Sequence, residues 1–239
     1  MVMSLDVQYR VSREAEVITL DGHDPLANLD FEERLFAAVK VRPRPVCLFY
    51  VNDPCVVVGR TNRLEDWVYA DAVQAEGITL IRRFSGGGAV YHDRDCLNYS
   101  FLLPKSILEG LLGRRAEDAP SPSLYIGFFR ELVIRALAKC GTHFSTTSVS
   151  DVNLDGFKIS GNAQRISAKV VLHHGTVLLR CPLAAYERYL PIPPNRPGVP
   201  HAGFVNGLRE LGCDVSMEQL RQHIAEVFVR TSNGGKPAE

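Results

Sequence analysis

Charge of either sign in excess is missing from this chain. Its 239 residues carry 27 Lys and Arg against 27 Asp and Glu, a formal net charge of +0 at pH 7. A balanced sequence gives no bulk attraction to nucleic acid or to an anionic bilayer, so neither is expected as a partner. Long apolar runs are missing too: nothing approaches the ~20 residues of a membrane span. The start, Met1-Val2-Met3-Ser4-Leu5-Asp6, has no basic stretch leading into an apolar core. No secretory signal is expected, and the cytoplasm is the expected compartment. The six cysteines (Cys47, Cys55, Cys96, Cys140, Cys181 and Cys213) include no Cys-x-x-Cys pair. Such scatter argues for reduced thiols that mostly fill the core, against a disulfide framework or a zinc site. Internal repeats are absent. What remains, 46% hydrophobic and 23% charged, is ordinary for a globular protein of one large domain or two small ones.

Glycine, by contrast, is concentrated. Arg82-Arg83-Phe84-Ser85-Gly86-Gly87-Gly88-Ala89-Val90-Tyr91-His92-Asp93 places three glycines between two apolar segments, residues 78–81 and 89–91, that read as strands. A turn without Cβ atoms lets backbone N–H groups approach a ligand and converge on one anion. Arg83 adds a permanently charged fork suited to phosphate or carboxylate. The stretch is neither a Walker loop nor a GxGxxG opening a helix. A plain hairpin turn with a bulge would use the same glycines; the paired arginines and His92-Asp93 favour a site.

Along the chain, residues 1–15 read as a loose lead-in and 16–20 as a short strand. A helix follows over 29–39, with Asn28 as N-cap, acids in the first turn, and Phe31, Leu35, Ala38 and Val39 at helical spacing. Two apolar runs, 46–51 and 55–59, joined by Asn52-Asp53-Pro54, predict a buried hairpin. Residues 67–73 predict a helix, and 96–103 a strand of the same sheet as the glycine-rich turn. The proline- and charge-rich stretch 104–122 predicts an exposed loop. Residues 124–140 predict an amphipathic helix burying Phe128, Leu132 and Ala136, together with Phe129 and Val133, and ended by Gly141.

Asp155-Gly156 between alternating residues is a two-residue hairpin signal. Lys158 follows, pointing away from the face of Phe157 and Ile159. An arbitrary strand lysine is usually exposed and idle; Gly161 argues otherwise, because it clears space beside the amine. Residues 170–179 predict a strand in which His173 and His174 face opposite ways and cannot share a metal. A helix to about residue 190, an irregular proline-rich segment over 191–200, a helix over 216–229 capped by Ser216, and a tail complete the chain. The expected fold is α+β: a mixed β-sheet of hairpins flanked by helices.

The blocks Arg82 to Asp93 and Lys158-Ile159-Ser160-Gly161-Asn162-Ala163-Gln164-Arg165 with His173-His174-Gly175-Thr176 resemble the lipoate–protein ligase A family of the biotin/lipoate ligase superfamily. Val57-Val58-Gly59-Arg60-Thr61-Asn62, Leu97-Asn98-Tyr99-Ser100-Phe101, and Asn28-Leu29 with Glu32-Glu33 extend the resemblance over most of residues 16–190. The resemblance implies the biotin/lipoate ligase catalytic fold over a single domain, 1–239, with a helical extension at about 200–230. It implies joining of lipoate or octanoate to ATP as an acyl-adenylate, then transfer to a lysine of a lipoyl domain. Lys158 would be the catalytic residue, stabilising charge on the acyl carbonyl and phosphate. Arg83, Gly88, Ala89, Val90, Tyr91, Lys158 and Asp151 would hold ATP, and Asp151 would hold Mg²⁺, which commonly takes one or two carboxylates besides phosphate oxygens. Arg83, Ser85, Gly86, Gly87, His92, Lys158, Gly161, His174 and Gly175 would hold the lipoyl group.

Two departures define the rival readings. Related octanoyltransferases act through a cysteine and without ATP; the matching stretches here, Phe144-Ser145-Thr146-Thr147-Ser148 and Leu190-Pro191-Ile192-Pro193-Pro194, contain none. Cys181 is the nearest alternative. Ligases of the family also carry a further C-terminal domain for which residues 200–239 are too few, so a separate accessory subunit, or transfer from a supplied adenylate, is a second expectation. A non-catalytic lipoyl-binding protein is a third. Biotin transfer is disfavoured, because the Gly-Arg-Gly-Arg loop of biotin ligases is absent.

Overall fold

Apolar residues at nearly every position make the central strands of this fold, and they are buried on both faces as such runs require. A computed structural model of the chain describes residues 7–11, 15–114, 121–146, 148–194 and 196–234. The strands are β1 Val7–Val11, β2 Glu16–Leu20, β3 Val46–Tyr50, β4 Cys55–Val58, β5 Thr79–Arg82, β6 Ala89–His92, β7 Cys96–Pro104, β8 Asp151–Leu154, β9 Phe157–Ile166 and β10 Val170–Leu178. The helices are α1 Pro25–Val41, α2 Ala70–Ala75, α3 Lys105–Leu111, α4 Pro122–Ala138, α5 Leu183–Tyr189 and α6 Met217–Ser232. The strands form a seven-stranded mixed sheet, β1-β2-β3-β7-β10-β9-β8, and a three-stranded sheet, β5-β4-β6. The α+β expectation holds, with two sheets in place of one.

That split corrects two expectations. β3 and β4 are not a hairpin: β3 pairs with β2 and β7, while β4 pairs with β5 and β6. Likewise β7 belongs to the large sheet, away from β5 and β6 that flank the glycine-rich turn. Two consecutive apolar runs satisfy burial equally well in one sheet or in two, so pattern alone cannot choose. The Asp155-Gly156 hairpin is present, with both residues at positive φ (50° and 84°) as a type I′ turn needs.

β7 divides the core. Leu97, Tyr99, Phe101 and Leu103 face α4 and α6, where Phe101 stacks on Phe228 at 4.9 Å and on Phe129 at 5.9 Å. On α4 Phe129 is fully buried, while Phe128 is partly buried and packs against the same core. The other face of β7 presents Asn98, Ser100 and Leu102 toward α1 and the cleft. α1 starts at Pro25 with Asp24 as its cap, so Asn28 is an interior residue, and no acid lies in the first turn. The Asn28 amide instead donates to Gly22 O at 3.0 Å and Asn52 Oδ1 at 3.0 Å. Further differences are local. Part of the lead-in is strand β1, and α2 begins after Tyr69. The expected loop contains α3; residues 115–120 of it lie outside the described residues. α6 has a capping box between Ser216 and Gln219 and runs on into the expected tail. Among the described residues no helix is long and apolar enough to cross a membrane.

Candidate functional site

Lys158 and the glycine-rich turn open onto one cleft of about 490 Å³, within the usual range for a small-ligand site. Lys158 is placed by its strand. β9 pairs with β8 through the Asp155-Gly156 turn, and a register shift between Val152 and Asn153 accompanies the approach of Asp151. Its Nζ lies 2.8 Å from Asp151 Oδ1, with the lysine side chain 30% exposed and the aspartate 8%. Gly161 is what lets the ammonium lie over the strand: a Cβ there would sit 2.9 Å from Lys158 Cε and 3.0 Å from Nζ. A second cation, Arg196, reaches Asp151 Oδ2 at 3.8 Å from the proline-rich segment and lies over the Phe204 ring at 4.6 Å. The chain just beyond that segment is tied to the site by main chain, with Lys158 N–H donating to Phe204 O at 2.7 Å.

The two arginines brace the glycine-rich loop. Arg82 Nη1 donates to Gly59 O at 2.9 Å and Asn62 O at 2.8 Å, closing the turn after β4. Arg83 is buried and donates to Gly86 O at 2.7 Å and Gly88 O at 2.9 Å through Nη2, and to Ser85 Oγ at 3.1 Å through Nε. Burial lowers its guanidinium to about 10, which Glu32 and Tyr50 only partly offset. Asn62 Nδ2 takes the remaining carbonyl, Gly87 O, at 2.7 Å. With all three loop carbonyls engaged, the N–H groups are what the loop can offer an anion. Arg83 is itself among the residues lining the cleft, while its Nε and Nη2 hold the loop.

Behind the loop runs a buried relay that sequence reasoning missed. Glu32 on α1, fully buried, meets His174 Nδ1 at 2.9 Å and accepts from Ser100 Oγ. His174 Nε2 lies 2.6 Å from Ser85 Oγ. Burial alone would raise the Glu32 carboxyl, but His174 and Ser100 outweigh it and the net shift is downward. A signal was available: Asn28 and Glu32 fall on the same helical stripe as Leu35, Phe36 and Val39, where polar residues are out of place unless partnered. His173, as expected, faces the opposite way, among Tyr99, Phe101 and Phe129.

Of the residues singled out in the sequence, Arg83, Gly87, Gly88, Ala89, Val90, His92, Asp151, Lys158, Gly161, His174 and Gly175 line this cleft. Ser85, Gly86 and Tyr91 do not: Ser85 is buried under His174, and Tyr91 packs on the far side, stacked on Tyr189 at 5.7 Å. Trp67, Asn98, Thr176, Arg196 and His201 also line it and were not foreseen. Asn98 had a local signal, a polar residue in a largely apolar strand; Arg196, in an irregular segment, had none. Asp151 is the sole acid among the lining residues, and among the described residues no three His, Cys, Asp or Glu are grouped to hold a metal. One carboxylate suits Mg²⁺ arriving with phosphate, and does not suit an all-protein metal cage. No cysteine lines the cleft. Cys181 is half-buried and pushed up to about 11, chiefly by burial, which is the reverse of an activated thiol.

Residues 24–229 match the model of the lipoyl protein ligase A/B catalytic domain family. The chain is 34% identical over 157 residues to the lipoate-protein ligase LplJ of Bacillus subtilis (strain 168), covering 65% of this chain and 43% of that protein. It is 30% identical over 216 residues to the mitochondrial lipoyl amidotransferase LIPT1 of Mus musculus, covering 87% of this chain and 53% of that one. The chain thus spans about half the length of these relatives. Among solved structures, the bipartite lipoate protein ligase of Thermoplasma acidophilum, described with its E2 lipoyl domain, superposes with a TM-score of 0.73 at 25% identity, over 86% of this chain and 78% of that one.

Proposed function

The chain belongs to the lipoyl protein ligase A/B catalytic domain family, and from that premise we propose that it activates lipoate or octanoate with ATP and passes the acyl group to a lysine of a lipoyl domain. The observation that carries this reading is the convergence of the Lys158 ammonium, the braced glycine loop and a lone carboxylate, Asp151, on one cleft. Joining a carboxylate to a phosphate brings two anions together, and fixed donors aimed at the developing charge lower that barrier. A carboxylate oxygen bonds to the α-phosphorus and pyrophosphate leaves. The acceptor amine then bonds to the acyl carbon, AMP leaves, and the amine gives up a proton. Lys158 holds the acyl carbonyl and phosphate oxygens in both steps. The backbone of the glycine-rich loop holds the nucleotide, and Arg83 and the Glu32–His174–Ser85 relay keep that loop in place. Mg²⁺ bound with ATP would offset phosphate charge, and Asp151 is the residue that would hold it. The whole chain acts as one catalytic domain in this reading.

The likeness to an amidotransferase favours a second reading, transfer from an adenylate made elsewhere. A thioester route is disfavoured by a cleft without cysteine. One experiment separates them: a lipoyl domain is incubated with the protein and lipoate plus Mg-ATP, with preformed lipoyl-adenylate alone, or with octanoyl-acyl carrier protein. Modification from lipoate and Mg-ATP supports the ligase. Modification from the adenylate alone supports the second reading, and the first would then require an accessory subunit. Modification from the acyl carrier alone overturns both.

A further inference from the structure

One row of residues crosses the floor of the cleft from strand to strand: Tyr50, Asn98, Thr176, Gly161 and Asp151 are successive partners on β3, β7, β10, β9 and β8. All five line the cleft. The Lys158 ammonium lies over Gly161, so Asn98 is two strand spacings away, roughly 10 Å. That separation suits the length of a medium-chain acyl group whose carboxyl end meets Lys158. Beyond Asn98 the wall is Leu29, Tyr50 and Val57, largely apolar.

Asn98 is 1% exposed, and its Nδ2 has no hydrogen-bond partner among the described residues. Its orientation follows from a chain of bonds with a fixed direction. Asn28 Nδ2 donates to the main-chain oxygen of Gly22, so that nitrogen is the donor and also serves Asn52 Oδ1 at 3.0 Å. Asn52 therefore presents Nδ2 to His92 Nδ1 at 3.1 Å, which accepts. Burial, with Arg83 and His174 nearby, lowers His92 to about 3, so the ring is neutral and its proton is on Nε2. Nε2–H donates to Thr176 Oγ1 at 2.9 Å, whose own hydrogen goes to Asn98 Oδ1 at 2.7 Å. Asn98 must then turn its N–H₂ away from Thr176, on a side chain that lines the cleft. Flipping the amide would set an N–H against the Thr176 hydroxyl hydrogen.

We propose that Asn98 reads the far end of the acyl chain. Its Nδ2–H donates to an acceptor carried there, such as a dithiolane sulfur, and a chain ending in methyl leaves the buried donor unpaired. This inference deepens the ligase reading and rests on it. A buried donor left unsatisfied is penalised, and sulfur is a weak acceptor that recovers part of the loss, so a preference of about tenfold for lipoate over octanoate is expected.

The test measures kcat/KM for lipoate and for octanoate, with Mg-ATP and a lipoyl domain, in the wild type and in Asn98→Leu. The lipoate-to-octanoate ratio should fall about tenfold in the variant, through KM and not kcat; a merely structural role would weaken both acids alike. A second measurement needs no variant: calorimetry of the wild type, without ATP, comparing octanoate with an analogue bearing sulfur in place of a methylene near its far end. The sulfur analogue should bind several-fold tighter. Equal affinities, or a ratio unmoved by Asn98→Leu, overturn the proposal. Transfer of both acids at an unmoved ratio faults the contact and leaves the ligase reading intact. Discriminating binding without transfer does the reverse, and binding of neither acid overturns both.

Discussion

Gly87 and Arg83 fit together only because one of them has no side chain. Gly87 holds φ at +90°, and a Cβ on it would lie 2.6 Å from Arg83 Nη2 and 3.1 Å from the Ala163 Cβ. Gly87→Ala therefore combines backbone strain with displacement of the guanidinium from Gly86 O and Gly88 O, at roughly 1–3 kcal/mol for the strain alone. Gly86→Ala meets nothing within 4 Å and has no positive φ, so its cost should stay within about 0.5 kcal/mol. Thermal unfolding and acyl-transfer assays of the two variants should differ sharply. Equal behaviour would show that the loop does not depend on the Arg83 brace.

The sequence marks this loop but cannot rank its glycines, because the difference between Gly86 and Gly87 is made by Arg83 folding back and by Ala163 from another strand. Residues whose roles depend on near neighbours are legible: Lys158 with Gly161, the Asp155-Gly156 turn, and the opposed His173 and His174 all follow from strand alternation. Contacts made across the fold are not. Glu32 meets His174 across 142 positions and Ser85 meets His174 across 89, and no local pattern encodes such pairings. The division into two sheets was hidden for a related reason: β3 and β4 share one composition, and only their partners differ.

Lys158→Met keeps the length of the side chain and removes its charge. The variant should fold, since the lysine is 30% exposed and Asp151 retains Arg196 within 3.8 Å. Acyl transfer should fall by about 10²–10³ in kcat, the usual effect of removing one electrostatic stabiliser of a transition state. A variant that unfolds with a normal transition and keeps wild-type turnover would remove Lys158 from the chemistry.

Cys181→Ser should leave acyl transfer unchanged. The thiol is pushed up to about 11 by burial, with Glu210 and Asp93 adding to it, and it lies outside the cleft. A thiol so far from ionisation is a poor nucleophile near neutral pH. Loss of transfer in this variant, with the fold retained, would revive a thioester route.

His173 offers a test of stability that is independent of the reaction. Both of its ring nitrogens are buried and lack hydrogen-bond partners among the described residues, and the ring stacks against Phe129 at 5.0 Å and Phe101 at 6.3 Å. Burial lowers its pKa to about 3, and His92 is lowered to about 3 for the same leading reason. In the unfolded chain both protonate near 6.5, so between pH 6.5 and 3 the unfolded state binds more protons and stability falls on acidification. Each histidine contributes a slope of about 1.4 kcal/mol per pH unit in that window. His201 is lowered too, by burial. Glu32 acts elsewhere: its folded pKa lies below its ordinary 4.5, so its contribution is intact above that pH and is lost only as pH falls further. The interval from pH 6 to 5 thus isolates the histidines. His173→Phe keeps the stacking and removes the unpaired nitrogens, so at pH 7 it should gain about 1 kcal/mol, and its slope between pH 6 and 5 should drop by about 1.4 kcal/mol per unit. Urea unfolding at pH 5, 6 and 7 measures both quantities. An unchanged slope, or a loss of stability at pH 7, would mean that the ring is protonated or hydrogen-bonded in the folded protein.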